Sequence, residues 1–179
     1  MSLDALKQRV APPVAPLETG SPEQWAAAEA QLGVQFPDDY KALVDTYGTG
    51  GFNDFLYVFN PFARNQYRNL FKGKDVMLDA YNVSRSQFPE YSPYPAFPET
   101  GGLLPWGTTD NGDELYWQTE GQPNAWSLVL FDARHGRNER YQLGITDFLA
   151  QFFSGTLKSR VLPEDLLMED EDQFFASRA

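Results

Sequence analysis

Apolar positions recur in two rhythms along this chain, and the change from one to the other organises it. Ser2 to Arg9 can form a short helix, and APPVAPLETG after it, with Pro12, Pro13 and Pro16, predicts an extended connector. Ser21-Pro22-Glu23-Gln24 then supplies an N-cap, a first-turn proline and a capping-box glutamine. Trp25, Ala28, Glu29 and Leu32 follow at helical spacing, and Gly33 closes that helix. Pro37-Asp38-Asp39 opens a second helix, in which Tyr40, Leu43, Val44 and Tyr47 form an i, i+3, i+4, i+7 stripe ending at Gly48.

Beyond Gly48 the rhythm shortens. Gly48-Thr49-Gly50-Gly51 cannot continue a helix, and Phe55-Leu56-Tyr57-Val58-Phe59 reads as a buried strand stopped by Asn60-Pro61. Residues 64–87 predict a third helix, with Gly73 a point of interruption, and residues 88–101, carrying four prolines, predict a long ordered loop or a mobile flap. LLPWGTT, ELYWQT, WSLVLFD and RNERYQL alternate with turns at 110–113, 120–124 and His135-Gly136, which predicts an antiparallel meander. A last helix, Thr146 to Ser154, places Ile145, Phe148, Leu149, Phe152 and Phe153 on one side, and Leu166, Leu167, Phe174 and Phe175 suggest a short amphipathic helix in the tail. Helices, then a meander, then a closing helix define an α+β class: N-terminal helices packed on a mainly antiparallel twisted sheet. The expected organisation is a helix and proline-rich extension over 1–19, one domain over 20–157 and an acidic tail over 158–179, with no internal repeat.

Length and composition narrow the function. A chain of 179 residues with 42% hydrophobic residues can bury a single core, and 15% aromatic residues put large rigid side chains in that core or on a binding surface. Lys and Arg number 14 against 25 Asp and Glu, a net charge of -11, which disfavours direct nucleic-acid binding. From Val161 onward there are six acids and one base, so acidity is concentrated in the tail. The tail acids Glu164, Asp165, Glu169, Asp170, Glu171 and Asp172 could imitate a phosphate track toward a basic partner, although a solubilising tail explains them more simply. The absence of Cys removes thiolate and cysteine-metal chemistry. With no apolar leader and no run of ~18 apolar residues, the expectation is a cytoplasmic protein with no membrane contact.

Motifs for catalysis are weak. The single histidine, His135, is expected in a solvated turn, with neither a serine elbow nor a second imidazole to build a triad or a zinc site. Asp110-Asn111-Gly112-Asp113 resembles part of a calcium loop, but with Gly112 at the sixth position the first and third ligand positions fall on Gly107 and Thr109; a hairpin turn accounts for it better. Carboxylates Asp54, Asp110, Asp113 and Glu114 near Trp106 and Trp117 could form a glycosidase pair, yet an acidic chain offers many chance pairs. Arg64, Arg68 and Lys72 would make one basic edge on the third helix, read as a solvated face. No metal and no cofactor is expected.

The order and spacing of these landmarks resemble the SUKH superfamily, the Smi/Knr domain named after fungal cell-wall assembly regulators and widespread in bacteria. The resemblance rests on Trp25, Glu29, Leu32 and Gly33; on Phe36-Pro37-Asp38-Asp39-Tyr40, Leu43 and Tyr47-Gly48-Thr49-Gly50; on Leu103 through Asp113; and on Phe148-Leu149 with Gly155. It implies a non-catalytic protein-binding domain, used in bacteria chiefly as an immunity protein that neutralises a toxin, often a nuclease, by occluding its active site. The alternative is a regulatory scaffold that binds a cellular partner. Acidic groups Asp54, Asp110, Asp113 and Glu114 are the candidate partner-binding residues, joined by Trp106 and Trp117 on the condition that either ring is exposed. The proline-rich loop 88–101 and the acidic tail depart from a minimal domain of this family, and the sequence leaves the oligomeric state open.

Overall fold

A computed structural model describes residues 2–132, 134–167 and 173–178. Its elements in chain order are α1 (Ser2–Arg9), α2 (Pro22–Leu32), α3 (Asp38–Tyr47), β1 (Gly50–Phe52), β2 (Leu56–Val58), α4 (Leu70–Gln87), β3 (Leu103–Thr109), β4 (Glu114–Gln118), β5 (Ser127–Asp132), β6 (Arg137–Tyr141), α5 (Ile145–Phe153) and β7 (Phe175–Ser177). The seven strands form one antiparallel sheet in the order β6-β5-β4-β3-β2-β1-β7. The sheet is the expected meander extended by β1, β2 and a returning tail strand, so the α+β architecture holds.

Alternation along a strand sends neighbouring side chains to opposite faces, and β4 uses both. Trp117 meets Tyr40 of α3 edge-to-face at 4.9 Å, while Tyr116 meets Tyr81 of α4 at 5.9 Å. Helices α1, α3 and α5 therefore share one face and α4 covers the other. On the first face Phe153 of α5 stacks on Phe52 of β1 at 5.4 Å, and Phe148 packs on Tyr141 of β6 at 5.1 Å. The N-terminal segment belongs to the same core: Leu6 and Val10 are fully buried, and Tyr47 Oη donates to the Val10 carbonyl at 2.6 Å.

Local chemistry sets the boundaries. Ser21 caps α2 through the capping box, its Oγ accepting from Gln24 N while the Gln24 side chain accepts from Ser21 N. The third helix begins at Leu70, not at residue 64. Asn60 holds the preceding backbone out of helical geometry by donating to the Arg68 carbonyl at 2.8 Å, and Asn69 caps α4 by accepting from Phe71 N and Lys72 N. Arg64, Arg68 and Lys72 consequently do not form one helical edge; the Arg68 guanidinium lies 3.4 Å over the Tyr57 ring instead. Gly73 does not break α4, because it lets the helix approach the Phe59 ring: a Cβ there would come within 2.7 Å.

The tail also departs from expectation. Glu164–Leu166 form a single 3-10 turn, and Phe175 lies in β7, paired with Phe52 of β1, rather than on an amphipathic helix. Asn53 secures it, donating to the Leu166 carbonyl at 2.9 Å and accepting from Phe174 N at 2.9 Å. Hydrogen bonding to β1 satisfies the backbone of a segment too short to form a stable helix alone. The acids Glu169, Asp170, Glu171 and Asp172 lie outside the described residues.

One cap crosses between elements. Helix α5 has Gly144 at its N-cap and no side chain there, so Asp39 of α3 accepts from Thr146 N at 3.1 Å and performs that role from another helix. A Cβ at Gly144 would sit 2.5 Å from Asp39 Oδ2. Gly144→Ala should therefore displace the carboxylate and cost about 1–2 kcal/mol, the worth of a lost helix cap. Urea denaturation of the single variant and of Asp39→Ala/Gly144→Ala checks this: the double variant should be little less stable than Asp39→Ala alone.

Candidate functional site

In a meander alternate turns fall at the same end of the sheet, and three of them, β1–β2, β3–β4 and β5–β6, share one end. They carry Asp54, Asp110 with Asp113, and Asp132 respectively. The structure thus gathers Asp54, Asp110 and Asp113 from the candidates of the sequence, beside Asp132, which was not one of them, and Asp110 N donates to the Phe55 carbonyl at 3.0 Å between two of these turns.

Most of that charge is already engaged. Asp54 accepts two 2.9 Å bonds from Nη2 of Arg178, which arrives with the tail. Asp113 is buried, and Thr109 Oγ1 donates to its Oδ2 at 2.7 Å; burial raises its pKa, and the nearby charge of Asp132 adds to the rise. Asp132 is buried too, but hydrogen bonds from His135 and Arg137 outweigh the burial and hold its pKa below the ordinary range. His135 N and Arg134 N both donate to Asp132 Oδ1 at 3.1 Å, so the carboxylate organises the β5–β6 turn. Asp110 is exposed. The condition attached to Trp106 and Trp117 is not met: their exposures are 0% and 1%, and both rings serve the core.

Glu114 stands apart from the other acids. It opens β4 on the α4 side of the sheet, directly opposite Phe131 of β5, and Tyr116 Oη donates to its Oε2 at 2.7 Å. Among the described residues no other hydrogen bond and no ion pair reaches its carboxylate. Burial raises its pKa, the Tyr116 hydroxyl opposes that rise, and the like charge of Asp113 adds to it.

Above Glu114 lies a cleft of about 520 Å3, walled by the C-terminal part of α4, the start of the proline-rich loop and the β5–β6 turn. Tyr81, Phe88, Tyr91 and Phe131 supply its apolar surface, while Asp132, Arg134 and His135 stand at its rim. The loop is tied in place at three points. Ser84 and Ser92 hydroxyls lie 2.8 Å apart, Tyr81 Oη donates to the Tyr94 carbonyl at 2.9 Å, and Arg85 pairs with Glu99 at 2.5 Å. Burial pushes the Tyr81 phenol up to about 12, so it acts as a neutral donor at any physiological pH. Gly136 closes the cleft: at φ 62 it allows Tyr91 to approach, and a Cβ there would lie 3.2 Å from that ring.

A second depression, of about 510 Å3, lies by the N-terminal half of α4 and is lined by Phe59, Tyr67, Arg68, Lys72, Val76 and Met77 among others. The outer side of α4 presents Val76, at the second depression, and Val83, seven residues apart and so on one side of the helix. Tyr67, Val76, Val83, Phe88 and Tyr91 are 73%, 70%, 56%, 51% and 54% exposed. None of these five stood out in the sequence. A second apolar stripe on α4, offset from buried Leu70, Met77, Leu78 and Tyr81, and two aromatics inside a proline-rich loop were the signals available.

Among the described residues no group of three or more His, Asp or Glu side chains could hold a metal ion, and no helix is long and apolar enough to cross a membrane. A family model described as SMI1-KNR4 cell-wall, within the SUKH group, matches residues 22–149. No curated protein and no solved structure matches the chain.

Glu114 sets a pH signature. A carboxyl whose pKa is higher in the folded than in the unfolded chain contributes most stability when protonated, and that contribution is lost as pH rises from the unfolded toward the folded value. Glu114→Gln keeps an acceptor for Tyr116 and removes the charge. It should raise the melting temperature by roughly 2 °C or more at pH 8 and leave it nearly unchanged at pH 4, as read by calorimetry at the two pH values.

Proposed function

The chain belongs to the SMI1-KNR4 family of the SUKH superfamily, whose model covers more than two thirds of its length, and from that premise we propose that it is an immunity protein. On this reading it neutralises a bacterial toxin domain, of the nuclease type, by covering the toxin's active site, and it performs no catalysis itself. The observation that carries the proposal is the apolar side chain set on α4 and the loop after it. Among the described residues, five of the eight large hydrophobic side chains exposed to solvent fall between Tyr67 and Tyr91. Exposed apolar side chains gathered on one helix and its following loop mark a candidate protein-binding surface, and aromatic residues beside a depression are the usual anchors.

Charge supports the same partner class. A nuclease presents basic surface to phosphate, and a chain of net charge -11 attracts such a surface from a distance. Because Asp54, Asp113 and Asp132 are internally engaged, this attraction comes from the summed field more than from pairs of those acids with the partner. The mechanism is therefore long-range acidic steering followed by apolar seating along α4. A cytoplasmic location follows from that role, since the toxin's nucleic-acid target is there. The family description, which refers to the cell wall, favours a second reading in which the same surface binds a cellular partner as a regulatory scaffold.

Co-expression with the toxin domains of the native host tests the proposal. The chain should restore growth against one of them, and Val76→Lys/Val83→Lys should abolish rescue with Kd weakened by about 100-fold or more. Lysine favours a helix more than valine does, so α4 should persist in that variant and its melting temperature should hold. A chain that rescues against no toxin yet forms a stable complex with a cell-wall regulator would replace immunity by the scaffold reading. With the cognate toxin, the association rate should fall by about tenfold or more between 50 and 500 mM salt, measured by stopped flow. A rate insensitive to salt would remove acidic steering and leave apolar occlusion.

A further inference from the structure

Buried carboxylates are ordinarily paired with a cation or held by several hydrogen bonds, because an isolated charge in a low-dielectric site is costly. Glu114 has neither. The single hydrogen bond to its carboxylate comes from Tyr116, the charge acting on it is the like-signed Asp113, and it is a lining residue of the 520 Å3 cleft. The basic side chains nearby do not supply the missing partner: His135 Nδ1 lies 2.7 Å from Asp132, Arg137 is 3.1 Å from the same carboxylate, and Arg134 is exposed. Arg85, on the last turn of α4, is paired with Glu99.

The walls of the cleft narrow the choice of cation. Tyr81 and Phe131 line it below, and Phe88 and Tyr91, with ring centroids 6.5 Å apart and half exposed, stand at its mouth. Aromatic faces attract cations, and a guanidinium suits them better than an ammonium because it is planar, less strongly hydrated and able to stack. Its planar fork also matches a carboxylate.

We propose that this cleft receives one arginine side chain of the partner protein, its guanidinium paired with Glu114 and its stem lying against Tyr81, Phe88 and Tyr91. The inference rests on the protein-binding reading above and assigns that reading its anchor. The basic partner then contributes in two ways: its field guides encounter, and one arginine inserts where a carboxylate has been left without a cation. Affinity for an inserted cation is obtained at the expense of the free chain's stability, so removal of the charge should strengthen the fold and weaken the binding. A residue that served structure alone would move both in the same direction.

The test uses the full chain and a minimal probe, the blocked peptide acetyl-Gly-Arg-Gly-amide, titrated at pH 7.5 and followed by amide chemical shifts. Saturable shifts are expected at Tyr81, Glu114 and His135, with weaker binding of the lysine peptide and none of the norleucine peptide. Glu114→Gln should raise the Kd about tenfold or more while its melting temperature does not fall, and Phe88→Ala/Tyr91→Ala, at exposed positions, should also weaken the complex. No saturable shift, shifts away from the cleft, tighter binding of lysine or norleucine than of arginine, or an unchanged Kd in Glu114→Gln would each overturn the inference. Growth rescue is scored separately: rescue that survives Glu114→Gln with no arginine binding leaves the immunity reading standing without this anchor. Arginine binding without rescue by any toxin leaves the anchor and removes immunity.

Discussion

The structure depends on burying β4 from both sides at once. Tyr116 and Trp117 are consecutive, so they face opposite ways, and each large ring needs its own cover. A sheet with one solvated face could be completed by α1, α3 and α5 alone. Here the chain must also carry a helix to the other face, and it does so between β2 and β3, where α4 and the proline-rich loop are inserted. That detour determines where a cleft can form. α4 packs on β3 and reaches β4 through Tyr81 and Tyr116, the loop returns from its C-terminal end to the start of β3, and the space beside the pair Glu114–Phe131 is left partly covered.

The acids at the turn end illustrate how composition can mislead about mechanism. A net charge of -11 invites the idea that individual carboxylates grip a basic partner. Instead Asp54 secures the tail through Arg178, Asp132 shapes the β5–β6 turn, and Asp113 holds Thr109 in the β3–β4 turn. Those groups stabilise local geometry first. Their sum still generates a field, which acts at distances where individual pairing is irrelevant and is screened over a Debye length of about 8 Å at physiological salt. Steering and seating are therefore carried by different parts of the molecule.

Much of the architecture was legible because it is written in local chemistry. Ser21 to Gln24 specify a helix start whatever surrounds them, and the stripe Tyr40, Leu43, Val44, Tyr47 demands a sheet to pack on. The strands of the meander follow from alternation and turn residues. What the sequence did not disclose depends on distant partners. Residues 64–69 look helical until Asn60 takes the Arg68 carbonyl, and Phe174 and Phe175 look amphipathic until β1 offers them a strand partner. The candidate site was less legible still. Trp106 and Trp117 carried the chemical signature of an interface and proved to be core, whereas Val76 and Val83 resembled ordinary helix residues and are exposed. Periodicity identifies which residues share a face, but only the packed structure says which face is left over.

That leftover face is the strongest clue in the fold. A helix lying on a sheet needs one apolar stripe, and α4 meets that need with Leu70, Met77, Leu78 and Tyr81. A second stripe adds nothing to packing within the chain. At about 25 cal/mol per Å2 of apolar surface, covering Val76, Val83 and the rings that flank them is worth several kcal/mol to whatever binds there, and none of it is recovered by the free chain. Glu114 follows the same logic in the currency of charge: its burial carries a desolvation cost that no cation in the described chain offsets. An apolar surface without cover and a partly buried carboxylate without a cation lie on the same side of the sheet, along one helix and the loop that continues it. A single partner offering an apolar patch with a projecting base would satisfy both. Two incompletenesses so placed are more simply explained by one missing surface than by two unrelated defects of packing.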